Sequence, residues 1–126
     1  MGEKKILIVD DESSVRLMMI QILKSEEYQI DVAENGRQAI DLIGKKSYDL
    51  IVTDYCMPEM DGLKLMMAIK ARYPDLPVLF VTGTESICDR LKEEGAAFLL
   101  KPFKIFELKN KIENMLTIIP RPDLDY

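Results

Sequence analysis

Apolar residues along this chain fall into two alternating patterns: short continuous runs, and longer stripes at helical spacing. Lys4 to Val9 is the first run, rich in β-branched residues and bounded by charge, which predicts a strand buried on both faces. After Asp10-Asp11-Glu12, Ser13 and Ser14 are helix-capping types. Val15, Met18, Met19, Ile22 and Leu23 then fall at i, i+3, i+4, i+7 and i+8, one face of a helix. Tyr28 to Ala33 predicts a second strand, and the alternating Gln29, Asp31 and Glu34 place it at a sheet edge. Asn35-Gly36 is a hairpin-turn pair, but no strand pattern follows it, so Asn35 is read as the cap of the next helix. Ala39, Ile40, Leu42 and Ile43 supply that helix's inner face and Gly44 marks its end. Asp49 to Thr53 is the third strand and runs straight into Asp54. Gly62 opens a third helix with Leu63, Met66, Met67 and Ile69 inward, and Pro74 and Pro77 bracket the connection after it. Val78 to Val81 is the fourth strand. Thr84 to Glu94 makes a weak helix whose stripe is only Ile87, Cys88 and Leu91, so shallow packing is expected before Gly95 ends it. Ala97 to Leu100 is the fifth strand, and from Lys104 a last helix carries Leu108, Ile112, Met115 and Leu116 inward.

Strands alternating with helices imply an α/β fold, a parallel five-stranded sheet doubly wound with helices on both faces. Parallel crossovers are right-handed. In such open sheets a ligand sits outside the carboxyl ends of the strands, where the strand order reverses. For order 2-1-3-4-5 the reversal lies between strands one and three, which end in Asp10-Asp11 and in Asp54. Periodicity leaves the order open; this is the order that brings the acids together.

Length and composition narrow the class. At 126 residues the chain is one domain able to bury a core without disulfides or a structural metal. We expect that domain over residues 1–117, with 118–126, holding Pro120 and Pro122, as a tail or the start of a linker. With 17 basic and 22 acidic residues and no dense basic run, a nucleic-acid surface is not expected. Cys56 and Cys88 form no C-x-x-C pair, and Met1 leads into charge rather than a secretory signal, so two reduced cysteines in a cytoplasmic protein are expected. No apolar run is long enough to span a bilayer. The chain has no histidine, which removes Ser/His and Cys/His catalytic pairs and histidine metal ligands together.

Chemistry is therefore left to the strand ends. Two like charges ~4 Å apart repel by roughly 4 kcal/mol at an effective dielectric of ~20, so Asp10, Asp11 and Asp54 in one pocket require a cation or a proton. Hard oxygen ligands favour Mg2+, or Mn2+. Thr82-Gly83 offers a hydroxyl and a backbone amide, and Lys101 an ammonium, a set suited to an anion with several oxygens such as a phosphoryl group. Pro102 directly after Lys101 makes a cis peptide bond a natural expectation there. On the residues alone Asp54 has three available roles: ligand, general base, or nucleophile forming an aspartyl phosphate.

Taken together, Ile8-Val9-Asp10-Asp11-Glu12, Asp54 with Met57-Pro58 and Met60-Asp61-Gly62, Thr82-Gly83, and Gly95-Ala96 with Lys101-Pro102-Phe103 resemble the response-regulator receiver domain of two-component signalling, over residues 4–117. That resemblance implies the (βα)5 flavodoxin-like fold. It implies Asp54 as phosphoryl acceptor, and Asp10, Asp11, Asp54 and the Cys56 backbone carbonyl as Mg2+ ligands. Lys101 and Thr82, with Gly83, would bind phosphoryl oxygens. Thr82 and Phe98 would be the switch pair, the ring moving inward as the hydroxyl turns to the phosphate. The implied donor is a phosphohistidine on a histidine kinase or phosphotransfer protein. The implied readout is by an output domain or partner protein at helix four, strand five and helix five, a surface that also serves homodimers. The domain is expected to carry a timed signal rather than to turn over a separate substrate.

Phosphorylation at Asp54 would exchange one negative charge for nearly two and add acceptor oxygens, shifting two pre-existing states by a few kcal/mol. Three other readings compete. A Mg2+-dependent phosphohydrolase with an aspartate nucleophile usually has a general acid two residues on, where this chain has Cys56. A nucleotide or flavin module needs a phosphate loop after strand one, where Asp10-Asp11-Glu12 repels phosphate. An unphosphorylated adaptor would have no use for all of Asp10, Asp11, Asp54, Thr82 and Lys101. Phe98 without a hydroxyl has no hydrogen bond to hold either ring position, and the methionine pairs Met18-Met19 and Met66-Met67 are read as core filler.

Overall fold

The two sequence patterns become β1 (Lys4–Val9), α1 (Ser13–Leu23), β2 (Tyr28–Ala33), α2 (Gly36–Lys45), β3 (Leu50–Asp54), α3 (Gly62–Arg72), β4 (Val78–Thr82), α4 (Glu85–Glu93), β5 (Ala97–Leu100) and α5 (Ile105–Thr117). The structure, a computed structural model, describes residues 3–24, 27–57 and 59–117. The expected tail at 118–126 lies outside the described residues.

All neighbouring strands pair in parallel, in the order β2-β1-β3-β4-β5, as the convergence of the acids required. Alternation along the central strands sorts the core into two layers. Leu7, Val9, Ile51, Val78 and Phe80 face one side and meet Ala39 and Ile43 of α2, Leu63, Leu65 and Ile69 of α3, and Leu91 of α4. Ile6, Ile8, Leu50, Val52, Leu79 and Val81 face the other and meet Met19 and Leu23 of α1 and Leu108 and Ile112 of α5. β2 lies at the edge as its alternation predicted. There Asp31 accepts a hydrogen bond from the Tyr48 hydroxyl at 2.6 Å and pairs with Lys46 at 3.3 Å.

Local chemistry sets the helix ends. Asn35 caps α2, its side chain accepting from the Gln38 amide at 2.8 Å, and Asp61 caps α3 through the Lys64 amide at 2.9 Å. Gly95 closes α4 with φ of +70°, where glycine meets no steric penalty.

Four expectations are corrected. Ser13 and Ser14 are inside α1 and cap nothing; Glu12 holds the N-cap position in an extended conformation, and its amide is taken by Asp10 Oδ1 at 2.9 Å. Gly44 does not end α2, which runs on to Lys45 and closes when the Lys46 amide returns to the Leu42 carbonyl at 2.8 Å. Met18 is 41% exposed, because the buried line runs through Met19 and Leu23 and Met18 lies about 100° round the helix from Met19. Met67 is 62% exposed, about 200° round the helix from Leu65, which is fully buried and takes the inner position instead. Each methionine pair thus contributes one inward and one outward side chain, rather than two core fillers. Helix α4 buries Cys88 and Leu91 only, in keeping with its thin stripe.

Candidate functional site

Register builds the site before any side chain is considered. Val9 stands level with Thr53, so Asp10 and Asp54 are both one step further along adjacent strands. Asp54 is level with Val81, one before Thr82, and Thr82 is level with Leu100, one before Lys101. With strands about 4.8 Å apart, four neighbouring carboxyl ends present Asp10, Asp54, Thr82 and Lys101 in one row, Asp54 near its middle.

The acids do converge. One carboxylate oxygen from each of Asp10, Asp11 and Asp54 lies within 4.8 Å of the others. Asp10 is buried, Asp54 half-buried and Asp11 exposed, so the cluster opens to solvent on one side. Asp10 Oδ1 accepts from the Glu12 amide, while its buried Oδ2 has no partner among the described residues. A buried acceptor left without a donor is costly, and it fits a cation that the protein itself does not supply. Asp54 Oδ1 accepts a long contact of 3.4 Å from the Cys56 amide.

Electrostatics follow from that geometry. Burial, then the Asp10 charge, push the Asp54 carboxyl up from 3.8 to about 6, against the pull of Lys101 and the Cys56 amide. Burial also raises Asp10, with the Glu12 amide and Lys101 pulling the other way. The Cys56 side chain is exposed, and what burial it has, together with Asp54 and Asp61, raises its thiol away from reactivity.

On the other side of Asp54, Thr82 is buried and its Oγ1 accepts from the Thr84 amide at 3.2 Å. Gly83 is exposed, with only the Lys101 Cβ at 4.0 Å from where a side chain would begin. The Lys101 amide donates to the Thr82 carbonyl at 2.7 Å, and the Lys101–Pro102 peptide bond is cis. Phe98 sits half-buried on β5, level with Phe80.

Two supporting roles escaped the sequence reading. Arg16 donates from Nη1 to the Asp10 carbonyl at 2.5 Å, tying α1 to the acidic loop. Gly62 lets α3 start directly beneath Asp54: a Cβ there would lie 2.9 Å from the Asp54 carbonyl oxygen, and the Gly62 amide closes the loop onto the Tyr55 carbonyl at 2.6 Å. The Asp-Gly pair at the head of α3 was the available signal for the second; nothing local pointed to the first. A surface cavity of about 650 Å3 lies elsewhere, between Ile43–Asp49 and Arg72–Pro77 at the opposite end of the sheet, and contains none of these acids. Chemistry, not cavity size, selects the site.

Comparison with known proteins agrees with this arrangement. The family described as "Response regulator receiver domain" matches residues 6–113. Response regulator receiver protein CpdR of Brucella abortus (strain 2308) is 33% identical over 116 residues, covering 90% of this chain and 97% of that protein. Sporulation initiation phosphotransferase F of Bacillus subtilis (strain 168) is 33% identical, covering 94% of this chain and 98% of that one. Response regulator MprA of Mycolicibacterium vanbaalenii is 35% identical, but the chain spans only 50% of its length, as it does for several of the curated relatives it matches. The crystal structure of response regulator TrrA from Thermotoga maritima, in complex with Mg(2+)-BeF, superposes with a TM-score of 0.83 at 33% identity, covering 90% of this chain and 99% of that one. A putative response regulator from Chloroflexus aurantiacus superposes at 0.86 with 30% identity, covering 93% and 100%. With its strand order, its row of strand-end residues and a family match over most of its length, this chain belongs to the response regulator receiver domain family.

Proposed function

We propose that this domain receives a phosphoryl group from a phosphohistidine donor onto Asp54 and reports it through the surface of α4, β5 and α5. The observation that carries the reading is the acidic cluster beside Asp54, with its buried, partnerless Asp10 Oδ2, facing Thr82 and Lys101 along one row of strand ends. Asp10, Asp11, Asp54 and the Cys56 carbonyl would hold Mg2+. The Mg-BeF complex of the Thermotoga relative supports that cation. Bound there, the cation offsets the acids' charge and that of the incoming phosphoryl oxygens.

In the transfer an Asp54 carboxylate oxygen forms a bond to phosphorus while the bond from phosphorus to the donor's imidazole nitrogen breaks. The imidazole keeps the electron pair and takes a proton from solvent. Lys101 pairs with a phosphoryl oxygen. The Thr82 hydroxyl turns toward another, leaving the Thr84 amide it accepts from, and the Phe98 ring moves toward the vacated space. Loss of the group is attack of water on phosphorus with release of the Asp54 carboxylate, so the domain resets without acting on a separate substrate. No carboxylate or imidazole stands at Cys56 to speed that step.

A donor must bring its imidazole to this end of the sheet. Leu17 and Met18 on α1 and Ile105 and Phe106 on α5 are large, exposed and apolar, on helices that both begin at this end. We assign donor docking, by a histidine kinase or phosphotransfer protein, to that flank; the phosphotransferase among the relatives fits such a relay. The output is a partner protein or a covalently joined domain, consistent with relatives of both lengths. Among the described residues no helix is long and apolar enough to cross a membrane, and we place the domain in the cytoplasm.

The test is incubation with Mg2+ and acetyl phosphate, followed by intact mass. An added phosphoryl mass that disappears in Asp54→Asn is the expected result. No added mass with acetyl phosphate or a phosphohistidine donor points to an unphosphorylated adaptor instead, and label retained in Asp54→Asn overturns the choice of acceptor.

A further inference from the structure

Helix α4 is tied to both members of the proposed switch pair. At its start the Thr84 amide donates to Thr82 Oγ1 at 3.2 Å, and the Cys88 thiol donates to the Thr84 carbonyl at 3.7 Å. Near its end the Lys92 ammonium lies over the Phe98 ring, 5.9 Å from the centroid. Lys92 and Cys88 are four residues apart on one helix face. With Glu85, Asp89, Phe98 and Leu100 they line an open groove of about 350 Å3.

Phe98 has no polar atom, so only packing and its ring face can hold it. Its strand is the last in the sheet order, so no further strand braces it on the outer side. Lys92 has acidic neighbours on its own helix, Asp89 three residues before it and Glu85 seven before it. Among the described residues, however, no carboxylate lies within ion-pair distance of it. The ammonium rests on the ring instead.

We propose that Lys92 is a positioning residue that holds the half-buried Phe98 ring at this groove in the unmodified chain and so sets how readily the switch turns; this rests on the acceptor reading of Asp54. A contact made in only one of two states biases their populations by its whole free energy. For an exposed cation over a half-buried ring at an open groove the bias is about two- to five-fold. By linkage the same factor appears in the affinity of any ligand that selects the ring-in state.

The experiment titrates the full chain with beryllofluoride and Mg2+, reading affinity in wild type, Lys92→Met, Lys92→Arg, Phe98→Leu and the Lys92→Met/Phe98→Leu double variant, and following the Phe98 ring resonances by NMR in the variants that keep the ring. Lys92 is exposed, so its variants fold. Lys92→Met should shift the ring resonances before any ligand is added and bind about two- to five-fold more tightly, while Lys92→Arg, which keeps the cation, should match wild type. In the Phe98→Leu background Lys92→Met should change nothing. Wild-type binding with Lys92→Met indistinguishable from it overturns the inference alone, as does a Lys92→Met effect that persists without the ring. A wild type that binds no beryllofluoride sinks the acceptor reading, and the inference falls with it.

Discussion

Ionising Asp54 without a cation should weaken the fold, within a defined pH window. Burial and the Asp10 charge lift its carboxyl from 3.8 to about 6. The folded chain therefore binds this proton more tightly than the unfolded chain. The resulting stability is fully present below about 3.8 and is lost as pH rises through about 6. Across the roughly two pH units between those values, at about 1.36 kcal/mol each, the limit is about 3 kcal/mol. Asp54 is only half-buried and the cluster opens to solvent, which screens that to about 1–2 kcal/mol. For a domain of this size the loss corresponds to a fall in Tm of about 4–8 °C. Asp10, also raised by burial, adds in the same direction. Asp31 does not interfere: Tyr48 lowers its carboxyl, so its contribution is lost only as pH falls below 3.8. The assay is calorimetry in EDTA from pH 4.5 to 7.5, comparing wild type with Asp54→Asn. The wild type should lose stability relative to the variant as pH rises, and Mg2+ at pH 7.5 should recover it in the wild type more than in the variant. A difference that stays flat, or that grows in favour of the wild type toward pH 7.5, refutes the reasoning.

Other expectations concern the scaffold. Gly62→Ala would set a Cβ 2.7 Å from the buried Phe80 ring and 2.8 Å from the Tyr55 Cα, and should cost about 1–3 kcal/mol by urea denaturation. Gly83→Ala, whose nearest neighbour would be 4.0 Å away, should unfold within about 0.5 kcal/mol of wild type in the same titration. Asn35→Ala removes the cap on the Gln38 amide and should cost about 1 kcal/mol, whereas Asn35→Gly should cost only a few tenths. Tyr48→Phe removes the donor to Asp31; about 1 kcal/mol of lost stability at pH 7 is expected, with the Asp31 carboxyl returning toward its ordinary range in an NMR titration.

Strands were easier to read than helix faces, for a physical reason. A strand buried on both sides needs only an uninterrupted apolar run and an edge strand a period-two alternation, and β1 and β2 begin and end at the residues those patterns marked. A helix shows its orientation only through which neighbour its stripe meets, and methionine sits equally well at the margin, as Met18 and Met67 do. The row of candidate residues was legible because each member lies at the carboxyl end of a strand, so register alone aligns Asp10, Asp54, Thr82 and Lys101. Contacts made across the fold were not legible. Nothing in the order of residues announces that Arg16 reaches the Asp10 carbonyl or that Lys92 lies over Phe98, and the Asp61-Gly62 pair marks the start of α3 without showing how closely it approaches Asp54.

The strand order also fixes when a growing chain acquires its site. β1 lies between β2 and β3, and β3 must be flanked by β4 before Thr82 stands beside Asp54. Lys101 leaves the ribosome long after Asp10. Until β5 docks, a nascent chain carries the acids without the lysine that faces the same group. Chains that stall or are cut before that point hold an acidic loop but no complete row; the row is completed with the last strand, before α5 adds Leu108 and Ile112 to the core.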